Sequence, residues 1–68
     1  MIKNRIAEIR NEEKITQEEL AKKSKISRVA LSSIENGTVP NGDTMFNIAK
    51  ALNRTVEQVF YEESVNHE

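Results

Sequence analysis

Two helix starts crowd into one short stretch, and that crowding limits the fold more than any other feature of the chain. Thr16 followed by Glu19 has the spacing of a capping box, in which the cap hydroxyl accepts from the N3 amide and the N3 side chain reaches back. Ile15 and Leu20 flank the cap at the positions of a hydrophobic staple. A helix is therefore expected to open at Gln17 and to run to about Ser24. Ser27 is the next cap, and Ile26 with Leu31 repeats the staple spacing. Only Ser24, Lys25 and Ile26 remain for the turn. Helices joined this tightly cross steeply. Such a crossing needs a small residue where the backbones approach, which Ala21 supplies. It also needs apolar residues facing inward from the later helix, which Leu31 and Ile34 supply.

Helical periodicity extends over nearly all of the chain. Ile2, Ile6 and Ile9 share a face at i, i+4 and i+7, which predicts a first helix from about Lys3 to Glu13. The helix after Ser27 is expected to end at Asn36-Gly37, since glycine suits a left-handed closing position. Thr38 to Gly42 form a loop around the only proline, Pro40. Met45, Ile48, Ala49 and Leu52 mark a fourth helix capped by Asn41 or Asp43, a choice that the sequence leaves open. Thr55 and Gln58 form a second capping box, opening a fifth helix that carries Val56, Val59 and Phe60. No strand and no linker are expected. The residues after about Glu63 lack periodicity and should fray.

Composition removes most kinds of function. At 68 residues the chain is one domain, and it buries only about 60% of its unfolded surface. Without cysteine there is no disulfide scaffold, thiolate metal site or cysteine nucleophile. The single histidine, His67, falls in the tail and leaves little for zinc or a catalytic relay. Neighbouring carboxylates such as Glu12-Glu13, Glu18-Glu19 and Glu62-Glu63 diverge on a helix and do not converge on a substrate. No enzyme, no cofactor, no metal and no small-molecule ligand are expected. Nothing approaches the ~20 apolar residues of a membrane span, nor the apolar block of an export signal, so a cytoplasmic location is expected. Three aromatics, Phe46, Phe60 and Tyr61, do not make a stacking platform for single strands.

The net charge of −1 is unevenly spread. Residues 20–42 carry Lys22, Lys23, Lys25 and Arg28 against Glu35 alone, a balance of +3, whereas residues 55–68 carry four glutamates and no Lys or Arg, a balance of −4. The basic stretch coincides with the two crowded helices. On the later of them, Arg28, Val29, Ser32 and Ser33 point outward: a forked donor, a short aliphatic and two small hydroxyls, side chains suited to base edges in a major groove. Lys22 and Lys23 read as a solvated face that adds at most a diffuse attraction to phosphate.

The string Gln17-Glu18-Glu19-Leu20-Ala21, Ile26-Ser27-Arg28, Leu31-Ser32 and Ile34-Glu35-Asn36-Gly37 resembles the Cro/CI-type helix-turn-helix family of Xre-like regulators. The likeness continues through Thr44-Met45 and Ile48-Ala49-Lys50-Ala51-Leu52 to Val56, Val59 and Phe60, and so covers about residues 2–61. It implies an all-α, compact five-helix, lambda-repressor-like DNA-binding domain over 2–62, with the helix-turn-helix at about 16–36 and a frayed acidic tail at 63–68. It implies base reading by Arg28, Val29 and Ser33, with Ser32 beside them. Gln17 matches a glutamine that braces the phosphate backbone and the recognition helix. Ser27, Asn36 and Thr38 match phosphate contacts, and Lys25 is placed to reach a phosphate as well. Arg10 and Glu35 match a partly buried structural ion pair. The chain departs from the family at Lys14 and Lys25, where glycine is frequent, and at Gly42, where an apolar residue is common.

The resulting expectation is a sequence-specific regulator of double-stranded DNA, a repressor on a palindromic operator in the first instance. With no residues left for a separate dimerisation domain, a homodimer would use the last two helices, with Phe46, Arg54, Gln58 and Tyr61 as contacts. The alternatives are a restriction–modification controller, or a protein-interaction module such as an antitoxin or antirepressor. The polar outward face of the recognition helix favours DNA over a protein partner.

Overall fold

The computed structural model describes residues 1–63. The elements run β1 (Ile2–Asn4), α1 (Ile6–Glu12), α2 (Gln17–Ser24), α3 (Arg28–Glu35), α4 (Gly42–Ala51), α5 (Val56–Val59) and β2 (Phe60–Glu62). Five short helices surround one apolar centre. Each sends a side chain of zero exposure into it: Ile6, Leu20, Leu31, Ile48 and Val59 in turn. Leu52, just past α4, completes the group.

The helix starts follow from their caps. Thr16 Oγ1 accepts from the Glu19 amide at 3.1 Å, and the Glu19 carboxylate accepts from the Thr16 amide at 2.9 Å. That backbone donor is the main cause that holds the Glu19 carboxyl below its ordinary range. Thr55 and Gln58 form the same reciprocal pair at the head of α5. Ser27 caps α3 by accepting from Ala30, and Asn41, not Asp43, caps α4 by accepting from Thr44.

The helix ends share one device. Lys14, Lys25 and Asn53 have φ of 58°, 63° and 59°, and Gly37 has φ of 124°. Each lies just past a helix, and each is followed by an amide that bonds back five residues. The pairs are Ile15 to Arg10, Ile26 to Ala21, Thr38 to Ser33 and Arg54 to Ala49, at 2.9–3.0 Å. This closure satisfies carbonyls that would otherwise be left without partners at the helix end. Ile15 and Ile26 each do double duty, since the residue that closes one helix also staples the next. Both pack against the core.

Two expectations change. The first helix does not begin at Lys3, and strands are present. Ile2, Lys3 and Asn4 pair antiparallel with Glu62, Tyr61 and Phe60. Phe60 accordingly leaves the fifth helix, which is one turn long, for the start of β2, where it is buried. Over three residues a helical and an extended reading of Ile2 differ little, and what decides is pairing between the two ends. The Asn4 side chain then starts α1 by accepting from the Ile6 amide, and it donates to the Ile34 carbonyl at 3.0 Å, tying the ribbon to α3. Of the tail, Glu63 is described and its amide donates to the Met1 carbonyl; residues 64–68 lie outside the described part. One buried hydroxyl, Ser24 Oγ at the end of α2, has no side-chain or backbone partner among the described residues.

A lysine with a left-handed backbone costs on the order of 1 kcal/mol relative to glycine. Lys25→Gly is expected to raise stability by about 1 kcal/mol, read as the midpoint of urea unfolding. A lowered midpoint would mean that the lysine stem contributes more packing than its backbone costs.

Candidate nucleic-acid interface

The turn at Lys25 sets α3 across α2 and leaves one side of α3 uncovered. Leu31 and Ile34 face the core, and Arg28, Val29 and Ser33 are exposed, with Ser32 half-buried beside them. Val29 is 72% exposed, so it does not shield the edge of the core. Asn36 and Thr38 are exposed just past the C-terminal end of the helix, next to Val39. Lys25 is exposed in the turn, and Ser27 is exposed while its oxygen serves as the α3 cap. Thus the eight positions that the sequence assigned to base and backbone contact along the turn, α3 and its exit are brought together.

Gln17, at the head of α2, lies half-buried against them. Behind it, Arg10 Nε donates to Glu35 Oε2 at 2.9 Å, with side chains 15% and 9% exposed. Arg10 Nη1 also donates to the Ile15 carbonyl at 3.0 Å, so this guanidinium joins α1 to the turn before α2 as well as to α3. The ion pair implied by the resemblance is therefore present. Two further contacts tie Gln17 to α3; the resemblance implied a brace on the recognition helix without saying which side chains it reaches. Gln17 Nε2 donates to Glu35 Oε1 at 3.0 Å, and Arg28 Nη1 reaches Gln17 Oε1 at 3.4 Å.

Of the residues assigned to a dimer contact on the last two helices, Phe46, Arg54 and Gln58 lie on or beside α4 and α5, whereas Tyr61 is in β2, paired with Lys3. Phe46 is 58% exposed, with the Lys50 ammonium 6.0 Å from its ring centroid. It borders an open hollow whose floor includes Ala49 and Val56. The others have partners within the chain. Arg54 Nη1 donates to Glu13 at 2.8 Å and its Nη2 lies 3.6 Å from Glu12. Gln58 belongs to the α5 capping box, and the Arg5 guanidinium sits 4.1 Å over the Tyr61 ring. Among the described residues no group of three or more His, Cys, Asp or Glu side chains is disposed to hold a metal ion, and no helix is long and apolar enough to cross a membrane.

Residues 6–59 match the helix-turn-helix family model, a span from the start of α1 to the end of α5. The chain belongs to the Cro/CI-type, Xre-like helix-turn-helix family. No curated protein matches it. The family is one of DNA-binding transcription regulators, and double-stranded DNA is the partner that goes with it. Within the matched span, α2 and α3 are the helices on either side of the tight turn, and one side of α3 is exposed.

Removing one member of a poorly solvated ion pair strands the other, which costs more than the pair itself contributes. Glu35→Ala leaves Arg10 without its anion, and an expected loss of about 3 kcal/mol follows. The double variant Arg10→Met/Glu35→Leu is expected to stay within about 1 kcal/mol of the parent, because apolar replacements leave no uncompensated charge. Urea unfolding of both variants checks this; equal losses would show that the charge pair itself carries the stability.

Proposed function

We propose that this protein is a transcriptional repressor that binds a palindromic operator as a homodimer, with α3 of each subunit in the major groove. The observation that carries this reading is the exposed side of α3, which offers a guanidinium, an aliphatic and a hydroxyl free of the core. The planar fork of Arg28 matches O6 and N7 of guanine, and Val29 suits a thymine methyl. Ser32 and Ser33 offer short donors and acceptors to neighbouring edges. Lys25, Ser27, Asn36 and Thr38 flank this face on both sides and hold the phosphates, with Gln17 contributing from the head of α2. Such contacts position a protein on the duplex without reading sequence.

A radius of gyration of 11.8 Å suits one half-site, whereas half-sites on one face of the duplex lie about 34 Å apart. Two copies related by a two-fold axis fit that spacing. The exposed Phe46 beside a hollow floored by Ala49 and Val56 supports a self-complementary contact, a projection next to a recess, which a two-fold axis needs. Arg54 and Gln58 border it while keeping their contacts within the chain. The polar, cationic face of α3 argues against the rival use of this fold, the holding of a protein partner.

Arg28→Ala is expected to weaken operator binding by about 1–3 kcal/mol per half-site and to relax preference at one base position, whereas Asn36→Ala should weaken all sequences alike. Titrations against an operator obtained by selection from random DNA, and against its single-base variants, separate the two. If Arg28→Ala weakens every variant equally, Arg28 holds phosphate and the reading moves to Val29, Ser32 and Ser33. Footprints at saturating protein should cover two inverted half-sites with centres about 34 Å apart. A single unrepeated half-site would exclude the homodimer.

A further inference from the structure

The Ile34 carbonyl lies in the last turn of α3, among the carbonyls that have no partner within the helix. Two donors meet it, each at 3.0 Å. One is the Gly37 amide, from the exit turn itself; the other is Asn4 Nδ2, from β1. Among the described residues Asn4 is the one side chain that donates to a carbonyl of this exit. Its amide is fixed in its turn. Oδ1 accepts from the Ile6 amide at 3.1 Å, which leaves the NH2 for Ile34. The reverse orientation would set an oxygen against the carbonyl and an NH2 against a backbone N–H. The Asn4 backbone pairs with Phe60, whose side chain is buried in the core. Both strands lie outside the helix-turn-helix span of residues 6–59. The end of α3 is thus held to a point that exists only when the two ends of the described chain pair.

Asn36 and Thr38 follow that carbonyl closely and are exposed. Their placement depends on a turn closed from within by Gly37 on Ile34 and Thr38 on Ser33, both at 3.0 Å. Gly37, with φ of 124°, restrains this turn least, because glycine has the widest choice of backbone angles. Groups on a loose turn lose conformational entropy when they settle on a phosphate, and affinity falls by that amount. A donor from outside the turn that holds the carbonyl at its base reduces the loss.

We propose that Asn4 is a positioning residue for the phosphate contacts of Asn36 and Thr38, so that the terminal ribbon sets the affinity for DNA without reading its sequence. This rests on the assignment of Asn36 and Thr38 to phosphate. It requires nothing of Arg28 as a base reader.

The test uses variants of the full chain, each titrated against an operator selected from random DNA and all its single-base variants. Asn4→Ser keeps an oxygen for the Ile6 amide and lacks the reach to Ile34. Asn4→Asp keeps the same oxygen and turns an acceptor toward the carbonyl. Each is expected to weaken binding to every sequence by one common factor, about threefold to tenfold, the range for one hydrogen bond. In an Asn36→Ala/Thr38→Ala background the Asn4→Ser loss is expected to shrink to within about twofold, because residues that act through one another are not additive. A residue that only supports the fold would cost the same factor in both backgrounds. If Asn36→Ala/Thr38→Ala binds every sequence as tightly as the parent, the phosphate assignment fails and the positioning role fails with it. If that pair weakens all sequences alike, the positioning role alone is overturned by any of three results. These are an Asn4→Ser variant that binds like the parent, one that costs the same factor in both backgrounds, and one that changes preference at a single base position. Urea unfolding checks that the variants are folded; if neither Asn4 variant folds, Asn4 serves the fold and the proposal is overturned as well.

Discussion

The arrangement depends on how the helices end. Four of them close on a residue of positive φ, with the following amide bonded back five residues. This closure ends a helix within about two residues and reverses the chain without a loop of its own. Its effect is greatest around α2, where Lys14 and Lys25 close the helices on either side of the two short connections. Ile15 and Ile26 then each seal the end of one helix and staple the start of the next. A longer turn at Lys25 would let α3 rotate about α2, and the exposed side of α3 would no longer be determined. The strain of two left-handed lysines, on the order of 1 kcal/mol each, is the cost of a recognition face with a fixed direction.

A core this small does not orient α3 alone. Leu31 and Ile34 bury its inner side, but two apolar contacts on an eight-residue helix restrain its tilt better than its roll. Polar contacts near its end add that restraint. The Ile34 carbonyl receives the Asn4 side chain, and Glu35 receives Arg10 and Gln17. Both contacts lie at the end of α3 away from Arg28, and both come from elements that follow α3 in neither sequence nor space by necessity: β1, α1 and the head of α2. The terminal ribbon therefore bears on the interface, because pairing of Ile2–Asn4 with Phe60–Glu62 is what sets Asn4 beside Ile34.

The outer surface divides the same way. Around α3 the exposed side chains are uncommitted or weakly held, as a face that must meet DNA requires. Around α4 and α5, Arg54 is taken up by Glu12 and Glu13, and Gln58 by its own cap, while Phe46 is a large apolar side chain left exposed. Charge follows this division: the cations of residues 20–42 gather near the turn and α3, while those elsewhere in the described chain mostly find carboxylates or aromatic faces.

What the sequence determined by itself was local. Caps at Thr16, Ser27 and Thr55, the staples, and the outward set Arg28, Val29 and Ser33 depend on residues a few positions apart, and short-range geometry makes them legible. Asn41 against Asp43 stayed open because both can accept from an amide three residues on, and only the path of the loop selects between them. The tertiary structure decided the contacts whose partners are distant. Ile2 reads as helix by its spacing to Ile6 and Ile9, and it becomes strand only because Phe60–Glu62 is brought beside it. Gln17 offers a donor and an acceptor with no sign of which faces out until Glu35, eighteen residues on, supplies an anion. Side chains with two equivalent local options are resolved by whatever the folded chain sets against them, and periodicity carries no record of that.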